Sequence, residues 1–282
     1  MIKIVTDSTS NLSPEQLQRY EIRVAPISIQ FGMETYEEDE EDIDIDRDLF
    51  YKKIDELGII PTTSQPSPGR FAEYYRELTD QGHSILTITI TSKHSGTYQS
   101  AILAKDMVPG ADVEVFDSAT ISLGTGYMVL EAAQAAEAGQ SRESILHRLA
   151  EIRDNMCLFL TPATLKYLQM SGRVGRLATA FASLLNIKPI IKIENGLLEA
   201  CENARTRAKA INRLLELTEE KMGTTHPLNL AVIHARCLEE GQALLEKARA
   251  RFNCQETLIG ELAASLTVHG GPGILGLFAY KV

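Results

Sequence analysis

The 282-residue sequence contains no apolar run of the ~18 residues needed to cross a bilayer, which excludes a transmembrane helix. Its four cysteines, Cys157, Cys201, Cys237 and Cys254, lie far apart and form no C-x-x-C pair. A zinc site is therefore not expected, and scattered cysteines read as reduced thiols in a core. The opening Met1-Ile2-Lys3-Ile4-Val5-Thr6-Asp7 is too short an apolar run for a secretion signal, so the expected compartment is the cytoplasm. Three catalytic signatures are missing. No serine has glycine at both −2 and +2, as a nucleophile elbow requires, and no G-x-x-x-x-G-K-[ST] phosphate loop occurs. Gly124-Thr125-Gly126 fails as a dinucleotide fingerprint because Val129 stands where the third glycine belongs. A basic excess is missing too: 28 Lys and Arg face 38 Asp and Glu, for a net charge of −10. Ten of those acids lie between Glu34 and Asp48 against one base, Arg47, so this stretch carries −9 and leaves the remainder near −1. With neither a basic domain nor interleaved aromatics, nucleic acid is not an expected partner.

What is present is enough apolar residue, 44%, for a real core, arranged in a repeating pattern. A β-branched run leads into a hydroxyl-rich turn and then a helix. Ile2–Val5 precedes Thr6–Asn11, and Ser13-Pro14-Glu15-Gln16 then opens a helix as a capping box with proline at N1. Ile85–Ile90 leads through Thr91–Gly96 to a helix from about Thr97, and Val113–Phe116 leads through Asp117-Ser118 to an Ala-rich helix ending near Gly139. Pro61–Pro68 reads as a stiff, hydroxyl-bearing loop. Ser67 caps a helix that carries Phe71, Tyr74, Tyr75 and Leu78 at helical spacing. Strands alternating with helices predict a largely parallel α/β sheet. Past a boundary near 153–157 the pattern changes. Leu158–Leu160 reads as a strand, 164–170 and 177–185 as helices, and Glu194-Asn195-Gly196 as a hairpin turn between Pro189–Ile193 and Leu197–Ala200. Helices are expected near 206–222 and 238–252 with a strand at Leu230–Ile233 between them. A glycine-rich loop, His269-Gly270-Gly271-Pro272-Gly273, precedes the strand Ile274–Tyr280.

Three loops bear hydroxyls after strands or before helices: Thr62/Thr63, Ser95/Gly96 and Asp117/Ser118. Each is explicable as helix capping; together they also suit an anionic oxygen at the carboxyl ends of the strands. His269 beside its glycines reads either as a donor to an anion or as a tight turn. Arg173 lies between two glycines and is favoured as an anion contact over Arg176, Arg205, Arg207, Lys209 and Arg213, which read as solvated helix faces. Asp42, Asp44 and Asp46 would share one face of a strand and read as a solvated edge rather than a cation site.

Six segments in register make the sequence similar to the DegV family of bacterial fatty-acid-binding proteins over essentially its whole length: Thr6-Asp7-Ser8-Thr9, Thr63-Ser64-Gln65-Pro66-Ser67, Ser92–Ala101, Asp117-Ser118, Ser171-Gly172-Arg173 and His269–Gly273. The resemblance implies two α/β domains, 1–155 and 156–282. The first would hold a mostly parallel sheet with helices on both faces, and the second a mixed sheet with helices; residues 30–62 would pack on the second domain. It also implies a long-chain fatty acid as ligand and no cofactor. A separate kinase related to dihydroxyacetone kinases would phosphorylate the acid for phospholipid synthesis, the chain itself doing no chemistry. By matching motif, Thr63, Ser95 and His269 would hold the carboxylate; Thr62, Gly96, Ser118 and Arg173 would line the head-group pocket. The acyl chain would run along Phe181, Leu184, Leu185 and Ile190, although their periodicity is also that of an ordinary core. Two departures stand out: His94 where the family has Leu, and the acidic run in place of a short turn. The competing functions are a small-metabolite phosphotransferase or hydrolase using His269, and a lipid-responsive sensor.

Overall fold

The structure, a computed structural model, describes residues 1–38, 47–58, 61–175, 177 and 187–282. These form two compact units: Met1–Arg153 with Ala263–Ser265, and Asp154–Leu262 with Leu266–Val282.

The first unit is built on four parallel strands, β1 (Ile2–Asp7), β2 (Arg23–Ala25), β6 (Ser84–Thr89) and β7 (Val113–Asp117), in the order β2-β1-β6-β7. Apolar side chains point to both faces, as a sheet covered on both sides requires. Val5, Ile85, Val113 and Val115 pack under α3 (Pro68–Asp80) and α4 (Thr97–Asp106), which contribute Phe71, Tyr75, Leu78, Ala101 and Ala104. Ile4, Leu86 and Ile88 are buried on the opposite face, where α5 (Leu123–Glu137) lies along β1 and β6. The signals read from the sequence at these helix starts are realised. Ser13 and Gln16 form the reciprocal capping box of α1 (Pro14–Arg19), and Ser67 accepts the Arg70 N–H at the start of α3. Gly126 packs α5 against the chain: a Cβ there would sit 2.4 Å from the Ser10 carbonyl oxygen. Gly126 therefore has a packing role.

One reading is corrected here. Pro61–Pro68 is not all loop: Thr62–Ser64 is strand β5, paired antiparallel with β3 (Ser28–Phe31), whose other edge carries β4 (Glu34–Glu37). A three-residue strand shows no alternation long enough to detect, and its partner lies some thirty residues away. Helices α2 (Arg47–Leu57) and α6 (Arg142–Asn155) also had no clear sequence signal.

The second unit is a six-stranded mixed sheet, order β10-β9-β8-β13-β11-β12, made of β8 (Cys157–Thr161), β9 (Lys188–Glu194), β10 (Leu197–Ala204), β11 (Leu228–His234), β12 (Cys254–Glu261) and β13 (Leu275–Lys281). Of the neighbouring strands, β11 and β12 alone pair in parallel. The hairpin turn falls at Asn195 and Gly196, both at positive φ (50° and 80°), the backbone a two-residue connection demands. Beneath α8 (Arg207–Met222) and α9 (Leu238–Arg251), Leu214, Leu215, Leu244 and Ala248 meet Phe159, Leu230, Val232 and Leu277. A short α7 (Lys166–Met170) follows β8. The glycine-rich segment is a second correction. Ala264–Gly270 is a helix, α10, that includes His269, and only Gly271–Gly273 is loop. The β-branched Thr267 and Val268 followed by two glycines mask it; the Gly271 N–H closes its last turn on the Thr267 carbonyl, 2.8 Å, with Gly271 at φ +77°.

Candidate functional site

In the first unit the chain leaves β1 for β2 on one side and returns to β6 on the other, so the sheet switches direction between β1 and β6. Such switch points, beyond the carboxyl ends of the strands, are where open α/β sheets bind ligands. Asp7, fully buried, ends β1 there. Its carboxylate accepts the N–H of Ile90 at 2.9 Å and that of Thr9 at 3.0 Å, along with the Thr9 hydroxyl. Burial pushes this carboxyl above its ordinary pKa, while the bonds from Thr9 and Ile90 act in the opposite sense. Asp7 thus fastens the start of the 91–96 loop to the end of β1.

That loop is fastened on its other side as well. Asp117, ending β7, accepts the Ser92 and Ala119 N–H groups at 3.2 and 2.9 Å, and the Thr91 N–H reaches the Thr120 carbonyl at 2.9 Å. Ser95 is half-buried; its hydroxyl oxygen accepts the Thr97 N–H at 3.3 Å and lies 2.8 Å from the Thr97 hydroxyl. Gly96 is the N-cap of α4 and offers no side-chain cap. Thr62 and Thr63 sit on β5, the first exposed with its hydroxyl on Gln30, the second half-buried. Gln65 ties the two segments together. A Cβ on Gly96 would lie 2.9 Å from the Gln65 Nε2, so the carboxamide rests against the glycine. Thr63 and Ser95, assigned to one head group by the resemblance, therefore stand on neighbouring segments. Ser118 is different: it is wholly buried, donating to the Thr120 carbonyl and paired with the Thr125 hydroxyl at 3.0 Å. It locks the β7–α5 loop.

Three acids in the described part of the acidic stretch have partners. Glu34 pairs with Lys53, and Glu37 with Arg70 at 3.3 Å. Glu38 accepts from the Ser8 hydroxyl at 3.0 Å and from both the N–H and hydroxyl of Ser265. Asp42, Asp44 and Asp46 lie outside the described residues. So do Phe181, Leu184 and Leu185 of the expected acyl pocket, residues 178–185 of the helix expected over 177–185, and Arg176. Ile190 is fully buried in the cluster beneath α8 and α9.

In the second unit, α7 ends in Ser171-Gly172-Arg173, with Gly172 at φ +72° and the Arg173 guanidinium turned back to donate to the Ser171 carbonyl at 2.6 Å. Among the described residues no carboxylate lies within ion-pair distance of Arg173. Arg207, by contrast, is paired with Glu240, and Arg213 with Glu202, Glu216 and Glu220. His269 is half-buried near the end of α10. The glycines after it are occupied by packing: a Cβ on Gly271 would lie 2.3 Å from the Tyr167 ring, and one on Gly273 2.9 Å from the Ala163 Cβ. The same contacts bring α7 beside the 271–273 loop. Burial raises the Cys157 thiol to about 12, so it is no nucleophile at neutral pH. Among the described residues no group of three or more His, Cys, Asp or Glu is placed to hold a metal, and no helix is long and apolar enough to cross a membrane. Asp7, Glu38, Gln65 and Tyr167 received no role from sequence reasoning. The hydroxyl-and-acid turn directly after β1 was the available signal for Asp7.

A parallel α/β sheet with hydroxyl-bearing loops at its switch point, joined in one chain to a mixed-sheet α/β unit, defines the class as a two-unit α/β protein with an anion-suited loop cluster. The family model described as "Uncharacterised protein, DegV family" matches residues 1–282, and the chain belongs to the DegV family. It is 34% identical over 277 residues to Protein DegV of Bacillus subtilis, covering 98% of each chain. Its fold is similar to that of a Thermus thermophilus DegV family protein described as fatty-acid-binding, with TM-score 0.93 and 34% identity over 100% of this chain and 99% of the other. The structure of Bacillus subtilis DegV, described as a fatty-acid-binding protein, matches with TM-score 0.91 and 33% identity over 100% and 99%.

Proposed function

We propose that this chain binds a long-chain fatty acid and, in the cytoplasm, presents its carboxylate to a separate kinase of the dihydroxyacetone-kinase type, doing no chemistry itself. The observation that carries the reading is the full-length likeness to DegV proteins described as binding fatty acids. The chain is taken as two domains, 1–155 and 156–282. Thr63 and Ser95 donate to the carboxylate, with Thr62, Gly96 and Ser118 around the head group. His269 and Arg173, in the second unit, keep the roles the resemblance assigns them: a carboxylate contact and a place in the head-group pocket. Phe181, Leu184, Leu185 and Ile190 are assigned to the acyl chain.

Two physical arguments support this division of labour. A carboxylate withdrawn from water needs several donors, because leaving it unpaired is very costly. The 91–96 loop, held by Asp7 and Asp117, keeps the Ser95 hydroxyl on a fixed backbone. The tail needs only apolar contact, each buried CH₂ contributing ~0.8 kcal/mol. Mass spectrometry of lipids released by denaturing the purified protein tests the reading: a long-chain fatty acid is expected. Finding none, together with no thermal stabilisation by oleate or palmitate, overturns it. Thr63→Ala combined with Ser95→Ala is expected to weaken oleate binding at least about tenfold, since each removes a hydrogen bond to a charged group.

A further inference from the structure

Gln65 follows β5 directly and precedes the buried Pro66 and the capping residue Ser67. Its backbone is therefore held from both sides, by the β5–β3 pairing and by the start of α3. Its carboxamide is nevertheless committed to nothing: among the described residues no hydrogen bond engages it. What it does have is a seat. The carboxamide nitrogen, carbon and oxygen would lie 2.9, 3.1 and 3.5 Å from a Cβ on Gly96 and are the three nearest atoms to that position. Gly96 itself has φ −78°, a value open to any residue, so its backbone does not call for glycine. The missing side chain makes room for the Gln65 amide, whose atoms come nearest.

We propose that Gln65 is a specificity-determining residue of the head-group site: held over Gly96 between Thr63 and Ser95, its Nε2 donates to the ligand carboxylate. This rests on the fatty-acid reading above. An amide donor beside two hydroxyls favours an acceptor-only head group, because a carboxylate takes every donor offered. An alcohol must also place its own proton. Gly96 then contributes by absence, and a methyl group there displaces the amide without straining the backbone.

The test measures binding of oleate and of oleyl alcohol to the full chain carrying Gln65→Leu, Gln65→Glu, Gly96→Ala, or Gln65→Leu with Gly96→Ala. Gln65→Leu is expected to weaken oleate about tenfold, the scale of one hydrogen bond to a charged group, and to leave oleyl alcohol within about twofold. Gln65→Glu is expected to weaken oleate further, by placing like charge beside the carboxylate. Gly96→Ala should reproduce most of the Gln65→Leu loss, and the double variant should lose no more than Gln65→Leu alone, because both changes remove one interaction. Equal loss for acid and alcohol means that Gln65 only braces the two segments, and overturns the proposal. So does unchanged oleate affinity in Gln65→Leu, or additive losses in the double variant. Failure of the unsubstituted chain to bind oleate overturns the fatty-acid reading instead, so the two failures are distinct.

Discussion

Two glycine-bearing loops look alike in sequence and are held by different physics. In the first unit, the 91–96 loop hangs on hydrogen bonds to two carboxylates, Asp7 and Asp117, and its one glycine keeps an ordinary φ. In the second unit, 271–273 depends on glycine itself: Gly271 and Gly273 both lie at positive φ, and the Tyr167 ring occupies the space above Gly271. A glycine beside a polar residue thus has two meanings. It leaves room for a movable side chain in one loop and answers a backbone demand in the other. Only the second use makes the residue irreplaceable for folding.

Substitution separates the two. Gly271→Ala should produce the largest effect, a loss of about 2–5 kcal/mol, from left-handed strain plus overpacking against the Tyr167 ring. An unchanged urea midpoint would show that the ring is not seated on Gly271. Asp7→Asn should cost about 1–3 kcal/mol by weakening the acceptor for the Ile90 N–H, and its signature is pH. Burial raises the folded-state value of Asp7 above the ordinary ~3.9, so folding favours the protonated form. The stability this group contributes is full below ~3.9 and is lost as pH rises through the higher folded value. The advantage of the unsubstituted protein over Asp7→Asn should therefore shrink as pH rises across that window. Paired urea titrations check this, and a constant gap would mean the carboxyl titrates normally. The smallest effect belongs to Gly96→Ala, within ~0.5 kcal/mol of unchanged stability, since only the flexible Gln65 carboxamide must give way. A loss comparable to that of Gly271→Ala would erase the contrast.

Legibility followed the range of the forces involved. The capping box at Ser13, the cap at Ser67 and the Asn195-Gly196 turn are interactions within a few residues, and each could be read directly. The strand Thr62–Ser64 could not, because what makes it a strand is Ile29 across the ladder. Nor could α10, whose composition argues for loop until the Thr267 carbonyl and the Tyr167 ring are in place. At the candidate site, Thr63 and Ser95 were recognisable as hydroxyls in loop motifs. Gln65 was visible only as part of a motif, because its partner is a glycine with no side chain to suggest a contact.

By itself the sequence determined the α/β class, the alternation of strand and helix in the first half, the local caps and turns, and the family. These follow from backbone chemistry and periodicity, which act over a few residues. Tertiary structure alone decided which loops are neighbours, that Asp7 is a buried clamp rather than a surface acid, and which glycines are demanded by space and which by conformation. Those properties depend on atoms brought together from distant parts of the chain, and no local pattern encodes them.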